Sequence, residues 1–216
     1  MTRAEVCKRI EAVGIVPVIR APTPELALLA CEAILAGGIS VFEITMTTPD
    51  APAVIRALRV RLGEKALIGA GTVLDAADAR ACIEAGAEFI VSPGFDPATI
   101  AAAHEAGIAA MPGALTPTEV IAAWKAGADV VKIFPCSAMG GASYLRALKS
   151  PLPQVKLMPT GGVNINTARD FLAAGAVALG VGSELVDIVA VKEDRAHVLT
   201  ERACEFVAAV AAARKQ

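Results

Sequence analysis

Aromatic residues are scarce in this chain of 216 residues: Phe, Trp and Tyr make up 4% of it, with one Trp and one Tyr. So few rings leave no platform on which bases could stack. An excess of charge of one sign is missing as well. Twenty Lys and Arg stand against 22 Asp and Glu, a formal net charge of −2, and no Lys/Arg-dense block occurs. Nucleic-acid binding needs such a basic footprint, so that class is set aside. Histidine is limited to His104 and His197, both in helical stretches and neither in an HxH or HExxH pattern. No carboxylate cluster accompanies them, so no metal is expected and both read as surface residues.

Long apolar runs are also lacking. The chain is 55% apolar with a mean hydropathy of +0.58, yet no uncharged run reaches the roughly 18–20 residues of a membrane span. The richest stretch, 177–191, is broken by Ser183, Glu184 and Asp187. Cys7, Cys31, Cys82, Cys136 and Cys204 are odd in number, scattered, and without a CxxC pair. They read as reduced thiols of a cytoplasmic protein, most of them small core residues. The charged opening MTRAEVCKRIEAV reads as an amphipathic helix and not as a signal peptide.

What is abundant is a repeat. An Ala-rich helical stretch ends at Gly and a short β-branched run follows, as in AILAGGISVFEI, CIEAGAEFIVSP, AHEAGIAAMPG, WKAGADVVKIFP and FLAAGAVALGVGS. The glycines Gly37, Gly86, Gly107, Gly127 and Gly175 read as left-handed helix caps. Their spacings are 49, 21, 20 and 48 residues, so the long gaps each hold two units. Strands are expected at about 14–20, 39–45, 66–71, 87–92, 108–112, 128–134, 155–160 and 177–182. Thr23-Pro24-Glu25, Thr48-Pro49-Asp50, Asp75, Asp96-Pro97 and Thr116-Pro117 mark helix starts between them. Alternating strands and helices imply a parallel sheet. Eight units in about 200 residues predict one α/β domain over 1–216, a (β/α)8 TIM barrel with an additional N-terminal helix. The alternative is a doubly wound open sheet, but Arg20-Ala-Pro-Thr after the first strand is no dinucleotide fingerprint.

Side chains alternate along a strand, so one parity faces the barrel interior. In DVVKIF, Val131 and Ile133 suit the helix side, which turns Val130, Lys132 and Phe134 inward. In VFEIT, Phe42 and Ile44 suit the helix side, which turns Val41, Glu43 and Thr45 inward. Burying one charge alone is costly, so Lys132 and Glu43 are expected to share a site. Burial favours the neutral amine of a lysine, the form that attacks a carbonyl to give a Schiff base. A structural salt bridge is the alternative. Two glycine-rich turns, Pro159-Thr160-Gly161-Gly162-Val163 and Leu179-Gly180-Val181-Gly182-Ser183, end the seventh and eighth strands, where this fold binds phosphate. Met111, Met139 and Met158 read as core fillers. The apolar stripe from Cys204 to Val210 reads as a helix packed on the barrel.

From Ile15 to Val186 the chain resembles the class I 2-keto-3-deoxy-6-phosphogluconate aldolases, also described as 4-hydroxy-2-oxoglutarate aldolases. The motifs are Phe42-Glu43-Ile44-Thr45, Gly69-Ala70-Gly71-Thr72-Val73, Phe89-Ile90-Val91-Ser92-Pro93-Gly94, Met111-Pro112-Gly113, Val131-Lys132-Ile133-Phe134-Pro135 and Pro159-Thr160-Gly161-Gly162-Val163. The resemblance implies a metal-free, cofactor-free, homotrimeric barrel with Lys132 as the Schiff-base lysine and Glu43 as general acid/base. It implies Thr72 and Thr160 against bound pyruvate, Pro93 and Phe134 as pocket walls, and Gly161, Gly162, Gly182 and Ser183 at the phosphate. Many members carry an Arg four residues after the glutamate, at the substrate carboxylate; here that position is Thr47. Arg20, at the end of the first strand and inward by parity, is expected to reach bound substrate, at its carboxylate or its phosphate. A 2-keto-3-deoxy-6-phosphogalactonate aldolase, a non-covalent sugar-phosphate isomerase or epimerase, and a non-catalytic phosphometabolite binder remain open alternatives at this point.

Overall fold

The computed structural model describes residues 1–215. The helix α1 (Arg3–Val13) comes first, closed by a capping box between Thr2 and Glu5 and by left-handed Gly14. Strands and helices then alternate: β1 (Ile15–Ile19), α2 (Pro24–Ala36), β2 (Val41–Thr45), α3 (Ala51–Leu62), β3 (Leu67–Gly71), α4 (Ala76–Glu84), β4 (Phe89–Val91), α5 (Pro97–Glu105), β5 (Ala109–Met111), β6 (Gly113–Ala114), α6 (Pro117–Lys125) and β7 (Val131–Ile133). They continue through α7 (Ala142–Lys149), β8 (Leu157–Pro159), α8 (Ala168–Ala173), β9 (Leu179–Val181), α9 (Ile188–Lys192) and α10 (His197–Ala213).

All the ladders are parallel. One sheet runs β5-β4-β3-β2-β1-β9 and a second runs β6-β7-β8. Only Pro112 separates β5 from β6, and its carbonyl accepts the Lys132 N–H at 2.9 Å. Parallel bridges Leu157↔Ala176 and Thr160↔Gly180 connect the β8 and β9 segments. The outcome is an α/β fold whose parallel strands form a curled sheet wrapped by helices. Nine strand segments replace the eight expected, because proline has no N–H to give the ladder and splits the fifth strand. Every strand also starts one to three residues later than expected, while β2 and β3 end where expected.

Two apolar clusters sort the strand residues by parity. Phe42, Ile44, Val131 and Ile133 pack in the layer between sheet and helices. Val16, Val41, Leu67, Phe89, Val130, Met158 and Ala178 pack on the inner face, together with Val6, Cys7 and Ile10 of α1. The additional N-terminal helix thus plugs the end of the curl where the strands begin.

Several local expectations need correction. Gly86, Gly107, Gly127 and Gly175 do take positive φ, but Gly37 does not; Gly38 carries the left-handed turn with φ 96°. Gly37 serves close packing instead, because a Cβ there would meet Ala203 and the Thr200 carbonyl of α10. The third helix starts at Ala51 after left-handed Asp50, and Thr48 instead accepts the Ala21 N–H at 3.2 Å. His104 is not a free surface residue: its Nε2 lies 3.2 Å from Asp129 Oδ2, and Asp129 also accepts from Arg3 and from the Ala110 N–H. Met111 and Met158 are core, whereas Met139 is 46% exposed. Cys204 is exposed and the other four cysteines are buried. Leu199, Ala203, Phe206 and Val210 form the buried face of α10. No helix among the described residues is long and apolar enough to cross a membrane.

Candidate active site

Two residues further along the inner parity, the apolar layer gives way to chemistry. Val41 is followed by Glu43, Val130 by Lys132, Met158 by Thr160, and Ala178 by Gly180. Lys132 Nζ lies 3.4 Å from Glu43 Oε1, with Lys132 5% and Glu43 0% exposed. Such a pair is held out of water, where a broken partnership costs several times what it costs at a surface. Lys132 Nζ also stands 5.6 Å from the Phe134 ring centroid. Glu43 Oε2 and Thr160 Oγ1 are buried side-chain oxygens without a hydrogen-bond partner.

Glycines make room for these side chains. A Cβ on Gly71 would fall on Glu43, and one on Gly180 would fall on Thr160 Oγ1. A Cβ on Gly113, which is in register with Lys132, would fall on the Pro93 carbonyl. A glycine inside a strand marks such close approaches; Gly180 lies within a motif noted from the sequence, but its role in seating Thr160 was not foreseen.

A cleft of about 490 Å³ opens beside Val18, Phe134, Thr160 and Gly180; Lys132 and Glu43 themselves do not line it. Arg20, Phe134, Thr160, Gly161, Gly162, Gly182 and Ser183 all line it. Val163, from the Pro159–Val163 motif, lines it too, as do Val18, Val186 and Ile188, which carried no signal in the sequence beyond being apolar. Thr72 and Pro93 do not line this cleft; they stand just past the ends of β3 and β4, beside Gly71 and Gly113. Thr72 takes φ 57°, a left-handed conformation that costs a β-branched residue energy. The Val73 N–H bonded to the Val91 carbonyl at 3.2 Å holds the chain there.

Gly161 and Gly162 have φ 89° and 73°, which only glycine adopts cheaply in succession. Their turn is clasped by the segment after β7: the Cys136 N–H donates to the Thr160 carbonyl at 2.9 Å, and the Ser137 N–H to the Gly161 carbonyl at 3.2 Å. No protein atom lies within 4 Å of a Cβ built on Gly182, so that position faces open space. Arg20 is exposed at the cleft rim and has no ion pair with any described residue. Thr47 is exposed, and its hydroxyl bonds Thr45 Oγ1 at 2.9 Å. No group of three or more His, Cys, Asp or Glu among the described residues is placed to hold a metal.

An amine and a carboxylate kept from water, near a cleft lined by Arg20 and a glycine turn, are the groups that carbonyl chemistry on an α/β fold requires. Residues 6–201 match the family model for KDPG and KHG aldolases. The KHG/KDPG aldolase of Escherichia coli (strain K12) is 37% identical over 193 residues, 89% of this chain and 90% of that protein. The 2-dehydro-3-deoxy-6-phosphogalactonate aldolase of the same strain is 36% identical, over 79% of this chain and 83% of that one. Among solved structures, the KDPG aldolase of Legionella pneumophila with pyruvate captured as a covalent carbinolamine superposes with a TM-score of 0.85 at 33% identity, covering 92% of this chain and 96% of that one. A cube-shaped cage designed by fusing symmetric oligomeric domains superposes with a TM-score of 0.87 at 33% identity, covering 94% of this chain and 74% of that one. The chain therefore belongs to the KDPG and KHG aldolase family. It is a lyase, a class I aldolase, which sets aside the isomerase and the non-catalytic binder.

Proposed function

We propose that this aldolase cleaves a 2-keto-3-deoxy-6-phospho sugar acid of the gluconate series to pyruvate and glyceraldehyde 3-phosphate. Unphosphorylated 4-hydroxy-2-oxoglutarate is a second substrate, giving pyruvate and glyoxylate. The observation that carries the reading is the enclosed contact of 3.4 Å between Lys132 Nζ and Glu43 Oε1. Lys132 adds as a free amine to the C2 ketone, and loss of water from the carbinolamine leaves an iminium. Glu43 takes the C4 hydroxyl proton as the C3–C4 bond breaks. The electron pair of that bond enters the iminium, giving an enamine and releasing the aldehyde. Glu43 returns the proton to C3, and water then hydrolyses the iminium to pyruvate and the free amine. The partnerless Oε2 of Glu43 is the acceptor this proton transfer needs.

Thr72 and Thr160 orient the pyruvate half, with Pro93 and Phe134 as walls. The backbone of Gly161, Gly162, Gly182 and Ser183 takes the phosphate, remote binding that aligns the reacting carbon. Arg20 supplies the cation that Thr47, tied to Thr45, does not. A phosphogalactonate substrate is the second reading, favoured by the 36% identity to an aldolase of that name. Kinetics with the two C4 epimers separate them.

The fold follows as one domain over 1–216, a closed (β/α)8 barrel. Its closure is supported by the Lys132–Pro112 hydrogen bond and the bridges between the β8 and β9 segments. We further infer a cytoplasmic homotrimer: the number three rests on the family resemblance alone, and association would cover apolar surface such as Val60, Leu74 and Val189, 85%, 62% and 61% exposed. Sedimentation as a single chain at micromolar concentration would refute the trimer. The central test is borohydride reduction with pyruvate. Pyruvate fixed to the Lys132 peptide supports the mechanism, and a protein left unmodified overturns it.

A further inference from the structure

The turn over residues 182–187 is a wall between two hollows. Ser183, Glu184, Val186 and Ile188 line the substrate cleft on one side and a second cleft of about 580 Å³ on the other. Arg202 of α10 lines only the second. Its guanidinium donates to the Ser183 and Glu184 carbonyls at 3.5 and 3.4 Å and to Asp187 Oδ2 at 3.1 Å. Asp187 also accepts the Ala190 N–H at 3.0 Å. That N–H, with the Arg202 charge adding to it and partial burial opposing, holds the Asp187 carboxylate below the ordinary aspartate value. Inside the turn, the Leu185 and Val186 N–H groups close on the Gly182 carbonyl at 3.0 and 2.9 Å.

A trans peptide points its C=O and N–H in opposite directions. With the Ser183 carbonyl turned to Arg202, the Glu184 N–H of the same peptide unit is turned the other way, to the side of the substrate cleft. We propose that Arg202 is a positioning residue: from behind the wall it holds the Ser183–Glu184 peptide so that its donor, the Glu184 N–H, meets the substrate phosphate, and so sets the preference for phosphorylated substrate. This rests on the phosphate reading of the turn given above. A guanidinium suits the task because its planar fork serves several acceptors at once, whereas an ammonium is a single point charge.

Steady-state kinetics of Arg202→Met and Arg202→Lys, with the 6-phosphorylated keto acid and with 4-hydroxy-2-oxoglutarate, test the assignment. For Arg202→Met the KM of the phosphorylated substrate rises about tenfold, the scale of one charge-assisted hydrogen bond. Its kcat, the kcat/KM of the unphosphorylated substrate and pyruvate trapping stay within about twofold, because the reacting centre is untouched. Arg202→Lys recovers part of the loss. Asp187→Asn, which keeps an acceptor for the Ala190 N–H, shows the same split and stands in if Arg202→Met does not fold. Equal losses on both substrates overturn the proposal, as does an undiminished preference in variants of a wild type that does prefer phosphate. A wild type with no such preference, and no competition by inorganic phosphate, overturns instead the phosphate reading on which it rests.

Discussion

Replacing Gly71 by alanine isolates the placement of Glu43 without touching either charged residue. Gly71 lies in β3 outside the positive-φ glycines, so its backbone accommodates alanine and the change acts through the added methyl alone. That methyl would overlap Glu43 Cγ, Cδ and Oε1. The clash reaches Cγ, so the carboxylate cannot escape by rotating its end and the whole side chain must swing. Overpacking of this kind costs about 1–3 kcal/mol. For a chain of this size that lowers Tm by roughly 2–12 °C, at about 2–4 °C per kcal/mol. The swing also removes the 3.4 Å contact with Lys132 Nζ and the base from its place beside the substrate. Turnover should fall by about a hundredfold or more, the scale of general acid–base catalysis. Pyruvate release followed by coupled NADH oxidation measures turnover, and borohydride trapping measures imine formation in the same preparation. Trapping should persist, since the amine remains. A folded Gly71→Ala protein with wild-type turnover would refute the assignment of Glu43 at its observed position.

Lys132→Met should abolish both turnover and trapping while the protein stays folded, because an apolar residue leaves Glu43 free to take a proton in place of its ion pair; retained activity would end the Schiff-base mechanism. Glu43→Gln should still trap pyruvate while losing about a hundredfold in turnover, and unchanged turnover would remove Glu43 from the mechanism. Arg20→Ala should weaken transition-state binding by about 1.5–3 kcal/mol. Loss of pyruvate binding with it places Arg20 at the carboxylate, and loss confined to phosphorylated substrate places it at the phosphate. Unaltered kinetics with both would make Arg20 a bystander. Burial pushes the Cys7, Cys82 and Cys136 thiols up to about 11 and raises that of Cys31. The thiolate is the reactive form, so an aromatic disulfide reagent at about pH 8, below those raised values, should titrate exposed Cys204 alone in the native protein. Rapid reaction of the buried thiols would contradict the packing.

Much of the strand and helix order was legible because two local rules acted together. Capping pairs such as Thr23-Pro24, Asp96-Pro97 and Thr116-Pro117 start helices through their own side chains. Gly86, Gly107, Gly127 and Gly175 end them through their own backbone. Where the outcome depended on a distant partner, the same rules misled. Gly37 looks like a cap but is small because α10 packs on it, 163 or more residues later in the chain. Thr48 looks like an N-cap but turns back to bond Ala21 near the end of β1. His104 looks solvated until Asp129, two residues before β7, comes beside it. Pro112 is visible in the sequence, yet its effect on the fifth strand depends on which neighbour would have received the missing N–H.

Lys132 and Glu43 were legible for a different reason. Strand parity is a local property, and a charge on the parity that also carries Val41 or Val130 must point where those residues point. The structure extends that logic upward one layer at a time. Val16, Val41, Leu67, Val130, Met158 and Ala178 form the apolar floor against α1. Two residues on stand Val18, Glu43, Gly69, Lys132, Thr160 and Gly180; two further on, Arg20, Thr45, Gly71, Phe134, Gly162 and Gly182. Two functional groups of the upper layers have a glycine that makes room for them, Gly71 for Glu43 and Gly180 for Thr160, and Gly113, in register with Lys132, lets the Pro93 carbonyl approach. A layer of uniformly large side chains would fill the interior, as the floor does, and leave no volume for a substrate. The inward glycines therefore belong to the site as much as its charges do. Their meaning was hidden because a glycine announces space but not the neighbour that uses it, and that neighbour is set by strand register, which appears only once the chain is folded.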